Sequence, residues 1–311
     1  MTNENKSIAM AYLSHGRLGN HNAGEGGSQL SNLKMYDNKP YISGQALRHA
    51  VRDALRQHTS EGIDCTPTDA CGDVENCRIC DIFGYMNTDI EPNTRTSPLR
   101  MTPALGTYPR PVQTDMIVQF GVHGSRKKDE DSDSDHGNQI AYRELIENTY
   151  HGAWALDISM LGRRESEEMF EDREPGHQYE REMENFVKEQ ERHERVNLLL
   201  AALRDHAQLA GQARHMADFM PDLAVAAEMT SYNQRVTNAL QVDEETEELN
   251  VQTLESVCND ITTLGGTVYV AGTYNQNVIE NWNEVMDAVS NLDDVEVLDS
   301  VAQCYERLRY D

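Results

Sequence analysis

Apolar positions along the chain come in short blocks separated by long polar stretches, and these blocks set the elements. Residues 7–14 are a compact apolar run with polar flanks, which suits a buried strand. From 15 to 40 the chain is rich in Gly, Asn and Ser and reads as loop. Over 43–58 the spacing changes: Leu47, Ala50, Val51 and Ala54 fall on one helical face, and Ser43 is placed to cap it. Residues 61–81 form an acidic, cysteine-bearing loop. Pro92, Pro98, Pro103 and Pro109 make 92–111 an extended excursion. Loose alternation over 112–122 predicts a strand. Residues 139–161 predict two strands meeting at Tyr150-His151-Gly152, the second over 153–161. The stretch 163–195 is dense in Glu and Arg and reads as a solvated helix or a flexible insertion, and 198–219 as a helix. Then come a strand over 267–274, a helix over 278–290, a short strand over 295–298 and a last helix over 301–308.

That order favours an α+β chain with a modified ferredoxin-like βαββαβ core and large insertions over a doubly wound sheet. The 311 residues suffice for one domain with a real core, interrupted at 61–111, 125–138 and 163–220. The tract Ser125-Arg-Lys-Lys-Asp-Glu-Asp-Ser-Asp-Ser-Asp predicts a disordered loop. No apolar run approaches the roughly 18–20 residues that span a bilayer, and the polar start Met1-Thr2-Asn3-Glu4 lacks a signal h-region, so a soluble, unexported, cytoplasmic protein is expected.

Charge changes the picture. With 27 Lys plus Arg against 53 Asp plus Glu the formal charge is −26, which would ordinarily argue against a nucleic-acid partner. Yet only 6 of the cations are Lys and 21 are Arg. A carboxylate-rich, lysine-poor chain is what a salt-rich, halophilic cytosol favours, because dense salt screens self-repulsion. The distribution of charge then matters more than the total. Residues 1–60 carry a net +3 and 92–128 a net +5, whereas 61–91 carry −7 and 139–311 carry −22.

Three segments carry candidate chemistry. A helix opening at Ser43 with small residues in its first turn offers free N–H groups to a phosphate. Arg48, Arg52 and Arg56 recur every four residues as one stripe, either tracking phosphates or standing in solvent. The preceding loop, Arg17 to Gly27, mixes glycines with amide and imidazole donors but is neither a Walker loop nor a dinucleotide fingerprint. The cysteines Cys65, Cys71, Cys77 and Cys80 lie within 16 residues, and four thiolates satisfy tetrahedral zinc. The alternative is reduced cysteines in an acidic loop. A structural rather than catalytic ion is expected, since four protein ligands leave no open position. Cys258 and Cys304 sit in apolar helical contexts and read as core.

The runs Ile42-Ser43-Gly44-Gln45-Ala46-Leu47-Arg48, Cys77-Arg78-Ile79-Cys80-Asp81-Ile82-Phe83-Gly84, Arg95-Thr96-Ser97-Pro98-Leu99 and Ile140-Ala141-Tyr142-Arg143-Glu144 occur in an order that resembles the repeat-associated (RAMP) superfamily of CRISPR proteins. The likeness is to the backbone subunit of type I Cascade complexes, in the DevR-like branch, and covers roughly residues 7–160 well. It implies a modified RNA-recognition fold with a palm, finger and thumb, a non-enzymatic role, head-to-tail assembly of copies along one CRISPR RNA, other Cascade subunits as partners, and target DNA paired to the guide. By position it implies that Ser43, Gly44, Gln45, Arg48 and Arg52 contact phosphate, that Arg17, Asn20, His21 and Asn22 line the groove, and that the Arg95–Arg110 excursion, with Arg95 and Arg100, is a finger or web touching the guide or its duplex. Arg48→Glu with Arg52→Glu is then expected to abolish RNA retention and spare the fold. The charge islands at 1–60 and 92–128 contain these segments. In strong salt, where the Debye length is about 3 Å at 1 M, grip must come from N–H groups, bidentate arginine and stacking.

Other readings compete. An endoribonuclease of the same superfamily would want a positioned histidine (His15, His21, His49 or His151) with a partner, or an acid after the first strand, where only Glu25 precedes Asp37. A zinc-dependent or small-molecule protein would use the 65–80 cluster.

Overall fold

The computed structural model describes residues 7–22, 33–66, 69–90, 94–119, 139–165, 183–206, 219–275 and 277–310. The tract at 125–138, Glu25, and much of the 163–220 segment lie outside them. The first block is one long strand, β1 (Ser7–Gly19). A small pair, β2 (Met35–Tyr36) and β3 (Lys39–Ile42), leads into α1 (Gly44–His58). The cysteine loop ends in a short helix, α2 (Arg78–Phe83). The proline-rich excursion is cut into β4 (Tyr85–Met86), β5 (Thr94–Arg95), β6 (Leu99–Met101) and β7 (Ala104–Gly106). β8 (Gln113–Gln119) and β9 (Gln139–Asp157) follow, then the pair β10 (Arg163–Glu165) and β11 (Met183–Asn185), and α3 (Glu189–Arg204). The C-terminal part holds β12 (Leu223–Met229), α4 (Val251–Thr263), β13 (Thr267–Gly272), α5 (Trp282–Ser290), β14 (Val295–Leu298) and α6 (Val301–Arg307).

One ten-stranded sheet organises these elements in the order β14-β13-β12-β1-β9-β7-β3-β2, with β6 and β8 also paired to β9. β1 is central and antiparallel to both neighbours, Ser7–Leu13 facing Met229–Leu223 on β12 and Asp157–His151 on β9. Among the described strands the β13–β14 pair alone is parallel, with α5 as its crossover. The architecture is the expected α+β one, an enlarged ferredoxin-like core. Its central strand is buried on both faces. Ile8, Met10 and Tyr12 point into a core shared with α1, α3 and α6, while Ala9, Ala11 and Leu13 meet α4 and α5. The middle of this sheet is therefore no open platform on which nucleic acid could lie.

Three departures from the sequence reading have identifiable reasons. Residues 139–161 do not form two strands: β9 runs unbroken through Tyr150-His151-Gly152. Gly152 is a packing glycine, because a Cβ there would overlap the Tyr12 hydroxyl across the β1–β9 pair. The apolar run 223–229, Leu-Ala-Val-Ala-Ala-Glu-Met, escapes a reading by strand propensity because alanine is a poor strand former, yet β12 is central and almost wholly buried. Covered on both faces, it shows a continuous apolar run instead of alternation. The third departure is the Glu/Arg stretch, whose last residues, 189–195, begin α3: a helix, but not a solvated one. Arg192 and Arg195 point into the protein there.

Candidate nucleic-acid interface and metal site

The first turn of α1 is built as its sequence requires. Ser43 is in extended conformation and its hydroxyl accepts the N–H of Ala46, which caps the helix. Asn22 clips this turn to the end of β1: its Oδ1 accepts the Ser43 N–H at 2.9 Å and its Nδ2 donates to the Tyr41 carbonyl at 2.7 Å. Gly44 faces the chain at Met101–Pro103, where a Cβ would lie 3.5 Å from the Met101 oxygen. Gln45, Arg17, Thr102 and Arg100 are exposed. The Arg100 guanidinium lies over the Tyr232 ring, 5.2 Å from its centre.

The arginine stripe points inward. Arg48 donates to the Leu99 carbonyl at 2.7 Å, the Phe83 carbonyl at 2.6 Å and the Ser97 hydroxyl at 3.2 Å. Arg52 is 8% exposed and its guanidinium sits 4.7 Å from the Phe83 ring centre. Burial, then the neighbouring Arg48 and Arg56 charges, lower the Arg52 pKa to about 10. Arg56 pairs with Asp53 at 2.9 Å and donates to the Cys65 carbonyl at 3.0 Å. Asn20 and His21 are buried too, with the His21 ring packed edge-on against Tyr150.

The cysteine loop closes on itself. The sulfurs of Cys65, Cys71, Cys77 and Cys80 all lie within 4.8 Å of one another, and Cys71 and Cys80 are 3.8 Å apart. That separation excludes a disulfide, and it equals the edge of about 3.8 Å that a tetrahedron with Zn–S bonds of about 2.3 Å would have. Backbone N–H groups support the sulfurs: Cys71 donates to Cys65 Sγ at 3.2 Å and Cys80 to Cys77 Sγ at 3.4 Å. Burial pushes the Cys65 thiol up to about 11. Among the described residues this is the group of ligands able to hold a metal ion.

Directly after Cys80, the fully buried Asp81 carboxylate organises a charge cluster. It accepts from Arg95, from Arg195 at 2.7 Å and from the Gly162 N–H at 2.9 Å. Arg95 also donates to the carbonyls of Asp81, Met160 and Arg163. Arg195 is completed by Glu191 at 2.9 Å and by the carbonyls of Val74 and Glu75.

The sequence profile of the CRISPR-associated negative auto-regulator DevR/Csa2 family matches residues 56–246. The chain belongs to the DevR/Csa2 family. Two solved structures share the fold of this DevR/Csa2 protein. One, described as a CRISPR RNA-guided surveillance complex, has 14% identity and a TM-score of 0.55, with 97% of this chain and 98% of that chain covered. The other, described as a CRISPR RNA-guided surveillance complex, pre-nicking, has 12% identity and a TM-score of 0.54 with the same coverage. No curated protein matches the chain by sequence.

The sequence-derived site of this DevR/Csa2 protein therefore divides. Ser43, Gly44 and Gln45 open α1, Arg17 is exposed near the end of β1, and Arg100 is exposed on β6. Arg48, Arg52 and Arg95 do not stand at the surface: their guanidiniums are turned onto internal carbonyls, an aromatic ring and Asp81. Asn20 and His21 are buried, and Asn22 clips the loop after β1 to the start of α1. The four cysteines do come together. What sequence reasoning missed is the Asp81–Arg95–Arg195 cluster, whose arginines sit in the excursion and in the Glu/Arg stretch. A spacing-based reading carries no signal for it, because the partners are up to 114 positions apart.

Proposed function

We propose that this protein is a non-catalytic backbone subunit that holds CRISPR RNA, assembles in copies along it with other Cascade subunits, and accommodates target DNA paired to the guide. The observation that carries the reading is the family membership, joined to full-length fold similarity to chains described as parts of RNA-guided surveillance complexes. The RNA-facing surface is the rim of Arg17, Ser43, Gly44 and Gln45, extended by Arg100, with the helix-terminal N–H groups as phosphate donors. The ribbon made by β8 and the first half of β9 fits the protruding thumb: it carries the cross-strand pair Met116 and Tyr142, both exposed. Of the histidines that guide processing would draw on, His15 pairs with Glu147 and His49 with Asp53, His21 is buried, and the Nε2 of His151 has no hydrogen-bond partner among the described residues. The four cysteines hold one structural Zn²⁺.

RNA carried through purification tests the reading. Wild-type protein is expected to retain RNA of uniform length, visible in the 260/280 nm absorbance ratio. Arg17→Glu with Arg100→Glu is expected to lower retention by about tenfold or more at moderate salt, since each lost phosphate contact weakens binding sequence-independently. Wild-type protein that never carries nucleic acid, from its native source or with a guide co-expressed, would falsify the reading.

A further inference from the structure

We infer that the zinc site is the outer clamp of the Asp81 charge cluster, so that metal occupancy decides whether residues 69–90 stay docked on α3 and on the turn before β10. The inference rests on the four cysteines holding zinc and goes on to what the ion does.

Ligands and charge acceptors alternate along the chain. Cys71 and Cys77 flank the loop whose Val74 and Glu75 carbonyls accept from Arg195. Cys77 also caps α2, and Asp81 follows Cys80 directly. Three of the acceptors on the Arg195 guanidinium thus come from a stretch of chain pinned by three of the four sulfurs. The Arg195 side chain is 2% exposed, and that of Asp81 is not exposed at all. Each is the other's charge partner in a dry setting, so undocking separates the pair. α2 has six residues, too few to be helical on its own. The remaining ties inside the loop are local, namely the Asp73–Asn76 turn, Tyr85 to the Gly72 carbonyl and Asn87 to the Ala70 carbonyl, while Arg78 to Glu191 and the buried Ile79, Ile82 and Phe83 anchor its far end on α3 and the core. Four sulfurs within 4.8 Å and no cation between them would not hold the loop in place of a metal.

Asp81 passes the constraint on. Through Gly162 and Arg95 it ties the end of the β9 segment to β5, and through Arg195 it ties α3. Phe83, two residues further, lies under Arg52 and accepts from Arg48, which connects α1. The other core, where β12 and β13 meet α4 and α5, shares no residue with this cluster. Loosening is therefore expected to be local to one face of the sheet.

Hydrogen exchange on the full-length protein, with zinc content measured in parallel, tests this. Stripping zinc with a thiol-reactive mercurial plus chelator is expected to speed amide exchange about tenfold or more in 72–83, 160–165 and 189–196, with 223–229 and 267–272 unchanged. By reciprocity Asp81→Asn is expected to weaken zinc retention, although it removes no ligand. Cys71→Ser, at the exposed ligand, is expected to reproduce the stripped pattern. Faster exchange confined to 65–80, or Asp81→Asn protein that keeps zinc as tightly as wild type, would overturn the clamp while leaving the metal site standing. Exchange rising equally in 223–229 would overturn its local character. Folded protein without zinc would remove the metal reading itself.

Discussion

Arg48 shows why residue type and spacing misled at the smallest scale. A stripe of arginines every four residues on an amphipathic helix is compatible with solvent, phosphate or a buried lining, and only the partners distinguish them. Here the partners are the Phe83 carbonyl at the end of α2 and the Leu99 carbonyl within the proline-rich excursion. Arg48→Ala takes a donor from both, at about 1–3 kcal/mol for the Phe83 carbonyl and less for that of Leu99, which also accepts from the Ser97 hydroxyl. A drop of that size in unfolding free energy is expected by urea titration, and Arg48→Glu is expected to be worse. Arg52→Met, which keeps the stem and loses the guanidinium over Phe83, is expected to cost only about 0.5–2 kcal/mol. A wild-type midpoint for Arg48→Ala would show that these bonds do not matter. The charge-reversal pair at 48 and 52 thus tests folding, not RNA contact. Ser43, by contrast, was legible at this scale: an N-cap is a local interaction between a hydroxyl and a nearby N–H, and it stands where the helical spacing begins.

Among the elements, those with local causes were readable and those with distant causes were not. α1 and α6 begin and end close to their expected bounds, because periodicity and caps lie within the segment itself. β9 was misread because a glycine inside a strand resembles a turn. Its cause is a tyrosine on another strand, 140 positions away. Gly152→Ala is expected to lower stability by about 1–3 kcal/mol through overpacking against Tyr12, which is 2% exposed and has nowhere to go. Tyr12→Phe in the same background is expected to recover part of the loss, measured as Tm. An alanine variant as stable as wild type would show that the approach to Tyr12 does not require glycine. β12 and the first half of α3 were hidden for the same reason: burial on both faces, or a guanidinium neutralised by a residue far along the chain, leaves no periodic signature.

For the whole molecule the formal charge of −26 dominates, and it is concentrated in the C-terminal half. Self-repulsion of that size is relieved by salt, so Tm is expected to rise as KCl goes from about 0.1 M to about 2 M, where the Debye length shrinks to a few ångströms. A Tm that stays flat over that range would remove the halophilic reading. The structure sharpens the point about RNA as well. Much of the positive island at 1–60 is spent internally: Arg48 and Arg52 are inside, Lys39 pairs with Glu244 and Arg56 with Asp53. Few cations remain at the proposed rim. That matches a grip built from short-range N–H contacts more than from a basic stripe, and it makes each of Arg17 and Arg100 more consequential. No helix among the described residues is long and apolar enough to cross a membrane.

The sequence by itself determined the α+β class, the capped first helix, the cysteine quartet and the family, because each is written in contiguous segments or in their order. Tertiary structure decided which arginines face solvent and that the central sheet is covered on both sides. It also decided that Asp81 sits where α2, α3 and β5 converge. Those facts depend on partners brought from far along the chain, and neither the period of a helix nor the charge of a segment encodes where a guanidinium finds its acceptors.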